Sequence, residues 1–264
     1  MTVPNGTDAA PYVKAAARDM KTYMRSKGGR YIPMGYSAAD ISSIRPMFQN
    51  YLVCGPENDT IDFFAVNIYE WCGDSTYETS GYSERIAEFE GYPVPAFFSE
   101  DGCITVRPRT FTDMAAIFGP EMTPVLSGAF VYEWMQEAND YGIITYPDFT
   151  TQDGLNVSVG SPVPMQPEFG NLQSQWAAAT PSSIAESAYT PTATTMACPG
   201  TTVGTWDISG NEALPETPTE EDQNPSYSAG ASGSFYFRGE AGLIFRNGNW
   251  ISIFFRERFL IFHW

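Results

Sequence analysis

The stretch Val94-Pro95-Ala96-Phe97-Phe98-Ser99-Glu100-Asp101-Gly102-Cys103 decides how the rest of the chain is read. Its apolar run, Val94 to Phe98, has strand character and ends abruptly in a carboxylate, with Gly and Cys following at once. A short continuous apolar run bounded by Pro and Gly reads as a strand buried on both faces. In parallel α/β proteins, and above all in (β/α) barrels, chemistry sits at the carboxyl ends of such strands. Glu100 is therefore the candidate nucleophile. The plain alternative is a strand-end carboxylate satisfied by a helix N-terminus or by donors at the rim.

Working outward, residues 8 to 27 predict an amphipathic helix, with Asp8 as cap, Pro11 in the first turn, and Tyr12, Ala16, Met20 and Tyr23 on one stripe. A short strand follows over 31 to 36, then a brief helix over about 43 to 52, and a strand over 63 to 69. Residues 79 to 92 predict a helix capped by Thr79 or Ser80, with Ile86 and Phe89 on its buried side. The central strand runs from 94 to 99. A helix over 112 to 126, capped by Thr112, precedes the last strand at 128 to 132. Strand and helix alternate, and Tyr36, Tyr69, Glu100 and Tyr132 recur at intervals of 33, 31 and 32 residues. That is the repeat of βα units. It predicts these four side chains at one level of neighbouring strands, with the Tyr69 hydroxyl close enough to orient Glu100.

The cysteines fit this register. Cys72 lies three residues beyond Tyr69 and Cys103 three beyond Glu100, so both reach the same rim, where a bridge can form. Cys54 is then left to pair with Cys198. Four cysteines without a C-x-x-C pair suit two disulfides in an oxidising compartment better than a metal site.

Composition removes whole classes of function. The formal charge is -17, from 14 basic and 31 acidic residues, which disfavours nucleic acid and anionic membrane surfaces. The one histidine, His263, is second from the end, arguing against Ser-His-Asp, Cys-His and His-zinc chemistry. Carboxylates must carry any acid/base work, and the reading calls for no metal and no cofactor. Aromatics make up 15% of the chain; such rings pack on the apolar faces of sugars, though most fill core and rim. Sequons at Asn5, Asn58 and Asn156 agree with secretion, yet Met1 to Gly6 is no signal peptide. The reading expects a missing N-terminus.

The regular pattern stops near 146. Residues 1–146 are read as a partial (β/α) barrel and 147–211 as an irregular extension tied back by Cys198. Residues 212–234 read as an acidic and small-residue linker, and 235–264 as an aromatic, Arg-containing tail foreign to the domain, as a misread exon would be. Ser228 to Ser234 before an apolar end faintly resemble a lipid-anchor signal, but Arg256, Glu257 and Arg258 interrupt that run.

Several separated motifs then occur in order. They are Asp62 to Gly73 (DFFAVNIYEWCG), Thr79 to Tyr82 (TSGY) and Phe97 to Cys103 (FFSEDGC), supported by Ala10 to Lys14, Arg18 to Met20, Gly35 to Asp40, Glu137 to Gly142 and Ala197 to Pro199. Over about residues 8 to 215 the chain resembles the fungal cell-wall β-1,3-glucanosyltransferases, glycoside hydrolase family 72. The resemblance implies a secreted, usually GPI-anchored glycoprotein of the plasma membrane and cell wall with a TIM (β/α)8 barrel. Such an enzyme cleaves an internal β-1,3-glucan bond and passes the new end to another chain with retention. Retention requires two carboxyl groups about 5–5.5 Å apart. The family's nucleophile motif falls on Glu100, and its substrate-lining tyrosines on Tyr69 and Tyr132; Asn67 and Tyr36 are further candidates for substrate contact. The resemblance implies the same cysteine pairing.

Three departures accompany it. The family's acid/base Glu, in an Asn-Glu pair ending strand four, would fall immediately upstream of Met1. The expectation is thus the C-terminal half, strands five to eight, of the barrel, without activity as written. The usual Tyr after the nucleophile is Asp101, and beyond about Thr219 the likeness ends. Glu70, Glu133 and Glu137 are read as salt-bridged or solvated groups, and Asp40 and Asp74 as capping or loop residues. Two functions stay open: a β-1,3-glucan transglycosylase, and a non-catalytic wall protein that binds glucan or is purely structural. A lipid anchor on the full-length protein is the one expected tie to a membrane.

Overall fold

The computed structural model describes residues 6–152, 155–181, 185–188, 196–216 and 260–262. They fall into two compact units, Met1–Phe64 with Thr195–Trp264, and Ala65–Thr194.

In the first unit, helix α1 (Ala10–Ser26) leads to strand β1 (Met34–Ala38) and helix α2 (Arg45–Val53). The expected stripe on α1 is not its buried face. Tyr12 and Tyr23 are more than 60% exposed, while Lys14 and Lys21 are buried beside Ala10, Ala15 and Ala17. Burial of an ammonium is tolerated because each finds oxygen partners. Lys14 Nζ donates to the carbonyls of Tyr51 and Cys54 at 2.8 and 2.7 Å. Lys21 Nζ donates to the Thr60 carbonyl and to Asp62 Oδ1 at 2.5 and 2.7 Å. Nor does Asp8 cap the helix: its N-cap is Ala9, with no side-chain bond.

Strand β2 (Phe63–Ile68) begins in this unit and ends in the other, and all six of its residues are buried, as a continuous apolar run requires. Gly35 in β1 is a close-approach position, since a Cβ there would lie 2.1 Å from the Phe63 ring. On the other edge of β1, a last strand, Leu260–Phe262, pairs in parallel with Met34 opposite Leu260. Those three residues are the described part of the expected tail; the rest of it, and most of the expected linker, lie outside the described residues. Trp206, fully buried, packs on Phe48 and Tyr51, and the Cys54–Cys198 disulfide fastens the same late segment, as expected.

In the second unit β2 continues beside β3 (Ala96–Asp101), which pairs in parallel with β4 (Leu126–Val131). Helix α3 (Tyr82–Phe89) joins β2 to β3, and α4 (Asp113–Ile117) lies between β3 and β4. Thus the α/β alternation with a parallel sheet is present; no closed barrel forms among the described residues. Two helices are shorter than expected. α3 starts at Tyr82 after Gly81, whose φ of 89° no Thr or Ser cap supplies. α4 has five residues because Gly119-Pro120 follows, and proline can neither donate nor let its predecessor stay helical. Of the expected caps, Ser80 Oγ accepts from the Tyr82 N–H, the first of α3, at 3.3 Å, while the N-cap residues themselves, Gly81 and Thr112, make no capping side-chain bond. β3 is also not buried on both faces throughout: Ala96, Phe98 and Asp101 are buried, while Phe97, Ser99 and Glu100 are half-buried.

The stretch from 147 onward is less irregular than its composition promised. Short strands β5 (Ile144–Thr145) and β8 (Val163–Pro164) pair antiparallel. Between them β6 (Asp148–Gln152) and β7 (Leu155–Val159) form a hairpin, and helix α5 (Glu168–Ala178) follows.

Candidate active site

Glu100 stands one residue before the end of β3, and Tyr69 follows directly on the end of β2. Because neighbouring strands end at one level, the Tyr69 hydroxyl meets Glu100 and donates a short hydrogen bond to Oε2. Burial raises the Tyr69 phenol well above its ordinary range, and the Glu100 carboxylate adds to this. The phenol therefore stays protonated and remains a donor to the carboxylate.

Two further tyrosines frame the pair. Tyr132, just past β4, lies edge-on to Tyr69 with centroids 6.2 Å apart. Tyr141, from the loop beyond, lies 5.5 Å from Tyr69 and 5.2 Å from Tyr132. Edge-to-face contacts of this kind fix the rings relative to one another. Asn139 Nδ2 donates to the Tyr132 hydroxyl at 3.1 Å. Tyr141 and Asn139 belong to the Glu137 to Gly142 stretch that supports the resemblance, but they fall off the 32-residue period and so are not among the site candidates.

Arg109 anchors this aromatic group from behind. It is 4% exposed and donates to the Tyr132 carbonyl at 3.0 Å and the Tyr141 carbonyl at 2.6 Å. Its Nε pairs with Glu168 Oε2 at 2.8 Å, and its backbone N–H with Oε1 at 3.0 Å. Arg107 Nη1 reaches the same Oε1 at 2.7 Å. Burial alone would raise the Glu168 carboxyl, but the Arg109 amide and the two guanidiniums hold it below its usual range. Neither Arg109 nor Glu168 carries a local sequence signal, since they meet from a loop and a helix 59 residues apart.

Other expected residues take distinct places. Asn67 is buried in β2, and its Oδ1 accepts from Ser99 Oγ at 2.8 Å. Tyr36 belongs to the first unit; its ring is 5% exposed, packs on Phe48 and Phe64, and burial pushes its phenol up to about 12. Cys72 and Cys103 are bridged, with Cα atoms 5.1 Å apart, as their offsets from Tyr69 and Glu100 predict. Gly102 (φ 135°) turns the chain from Asp101 toward Cys103 in a conformation L side chains rarely adopt. Asp101 faces away from Glu100 into the interior, where Tyr82 bonds to it. Glu70 pairs with Arg85 at 3.8 Å, and Glu137 is exposed. Among the described residues no cluster of His, Cys, Asp and Glu is placed to hold a metal ion.

Glu100, Tyr69 and Tyr132, which the strand spacing placed at one level, thus stand together in the structure. A family profile described as "Glucanosyltransferase", that of glycoside hydrolase family 72, matches residues 2–177. The chain belongs to that family. It is 45% identical over 217 residues to "1,3-beta-glucanosyltransferase GAS2" of Saccharomyces cerevisiae, covering 80% of this chain and 36% of that protein. It is 44% identical to "pH-responsive protein 2" of Candida albicans, covering 82% of this chain and 37% of the other. The solved structure of S. cerevisiae Gas2p in complex with laminaritriose and laminaritetraose superposes with a TM-score of 0.70 at 43% identity, over 83% of this chain and 47% of that one. A Gas2p mutant in complex with laminaritetraose and laminaripentaose gives 0.68 at 41%, over 83% and 45%. This family 72 chain thus spans little more than a third of the length of the curated relatives it matches.

Proposed function

We propose that this family 72 chain carries the nucleophile half of a retaining β-1,3-glucan transfer site, with Glu100 as nucleophile. The observation that carries the reading is the Tyr69–Glu100 hydrogen bond at the ends of adjacent strands. In this reading a Glu100 oxygen attacks the anomeric carbon of a glucose unit as the β-1,3 bond breaks. The leaving oxygen takes a proton from an acid, and a glycosyl ester remains on Glu100. A hydroxyl of an acceptor glucan then displaces the ester, giving its proton back to the same base, so the β configuration is restored. Tyr69 holds the carboxylate oxygen in line. Tyr132 and Tyr141 offer ring surface to the sugar, with Asn67 retained as a candidate contact. No Glu of residues 1–264 is assigned the acid/base role.

Within the same proposal β1 to β4 are strands five to eight of a TIM barrel. The setting is extracellular, at the fungal cell wall, with lipid anchoring a property of the full-length protein. Two disulfides support an oxidising compartment. No helix among the described residues is long and apolar enough to cross a membrane.

Titration of the chain with laminaripentaose, cellopentaose and maltopentaose tests the substrate class. Preference for laminaripentaose by at least about tenfold, about 1.4 kcal/mol, is expected. Equal binding of all three, or none, would remove β-1,3-glucan as the ligand. Glucan binding without any covalent chemistry at Glu100 would favour the non-catalytic wall protein instead.

A further inference from the structure

Two buried carboxyls take no part in the chemistry above. Asp101, the last residue of β3, is 1% exposed, and Asp113, the first of α4, is 3% exposed. The Tyr82 hydroxyl donates to Asp101 Oδ1 at 3.1 Å. The second oxygen, Asp101 Oδ2, is buried without a donor, and so is Asp113 Oδ1. The two side chains face each other within hydrogen-bonding reach. A cavity lined by Trp71, Gly102, Arg109 and Asp113 adjoins the pair but does not extend to Asp101. Two ionised carboxylates in contact repel, whereas one proton between them satisfies both orphaned oxygens at once.

The backbone ties this pair to the site. Asp101 follows Glu100 directly, and its carbonyl accepts from the Tyr132 amide at 2.8 Å. We propose that Asp101 and Asp113 share a single proton, and that this bond positions the end of β3, and with it Glu100 and Tyr132, in a pH-dependent way. The positioning half rests on the reading of Glu100 as nucleophile; the shared proton does not.

Burial pushes both carboxyls up, Asp101 furthest, where the Asp113 charge adds to it. Around them stand Tyr82 from α3, whose phenol burial raises, Arg109, which lowers Asp113, and Glu70, which acts on Tyr82. The folded chain thus keeps a proton that an unfolded Asp releases near pH 3.9. The stabilisation is complete below that value and is lost as pH rises toward the value of the pair.

The experiment follows thermal unfolding of the chain from pH 4 to 8 for the unsubstituted protein, Asp101→Asn and the control Glu70→Gln. The same samples are followed for covalent labelling by 2-deoxy-2-fluoro-β-laminaribiosyl fluoride. An Asn amide mimics the protonated acid and donates to Asp113 without titrating. The Tm of the unsubstituted chain, relative to Asp101→Asn, is expected to fall by about 3–5 °C per pH unit across the window. Glu70→Gln should retain that fall, and the labelling rate should lose its matching pH dependence in Asp101→Asn. A Tm difference flat in pH overturns the shared proton. A sloping Tm difference with labelling unchanged by the substitution overturns the positioning role. Absence of labelling in every sample sinks the nucleophile, and the positioning role with it, while the Tm slope still decides the proton. Should Asp101→Asn fail to fold, the infrared carbonyl band of a protonated, exchange-protected carboxyl, sought just above the unfolded Asp value of about 3.9 and followed upward in pH, decides. Its presence supports the pair and its absence overturns it.

Discussion

Glu100→Gln is expected to slow consumption of β-laminaribiosyl fluoride by a factor on the order of 10⁴–10⁶, the range seen when a covalent nucleophile is removed. Fluoride leaves without help from a proton donor, so the first step reads the nucleophile alone. Gln keeps the shape of Glu and still accepts from the Tyr69 hydroxyl, so the fold and the affinity for laminaripentaose should be unchanged. A carboxamide is too weak a nucleophile to form the ester. A fall of less than about tenfold, with binding intact, would mean that Glu100 is only a rim carboxylate.

Arg109→Leu is expected to cost about 3–5 kcal/mol of folding stability, the usual result of removing one member of a buried ion pair. For a chain of this size that is a loss of about 6–20 °C in Tm. The substitution takes the guanidinium from Glu168 Oε2, leaving Arg107 and the backbone N–H of residue 109 on Oε1, and releases the carbonyls of Tyr132 and Tyr141 together. Arg109→Leu combined with Glu168→Gln should recover part of the loss, because the buried carboxylate charge is gone and the Arg107 left behind is partly exposed. The pairing holds Glu168 below its ordinary range. Its stabilisation is therefore complete above the unfolded Glu value of about 4.3 and is lost as pH falls through the lowered value. Arg109→Leu should weaken that acid limb, since the Arg109 side chain supplies part of the lowering. Urea unfolding at pH 7 and pH 3 measures both effects, and a neutral Arg109→Leu would contradict the anchoring role.

The parts of this site that were legible in the sequence are those that a strand period governs. Tyr69 and Glu100 lie 31 residues apart on neighbouring strands, so their meeting follows from counting, and the Cys72–Cys103 bridge follows from the same count. Tyr132 obeys it too. Tyr36 sits on the period, yet its ring is enclosed by Phe48 and Phe64, because spacing sets a residue's level and says nothing of what covers it. The α1 stripe misled for a related reason. Hydropathy ranks Lys14 and Lys21 as outward-facing, but carbonyls of α2 and the residues after it, with the Asp62 carboxylate, receive them and leave Tyr12 and Tyr23 in solvent. Arg109, Glu168, Tyr141 and Asp113 come from loops and helix starts, where no period operates and only tertiary contacts assign a partner. Asp101 stood out as a departure from the family pattern; that it meets Asp113 was not legible.

The central claim is tested most directly by peptide mapping after incubation with 2-deoxy-2-fluoro-β-laminaribiosyl fluoride. The account predicts one added 2-deoxy-2-fluoro-laminaribiosyl group, esterified to Glu100 in the peptide spanning residues 97–102, and none in Glu100→Gln. A label on any other carboxylate, or an unlabelled chain that nevertheless binds laminaripentaose, would contradict it.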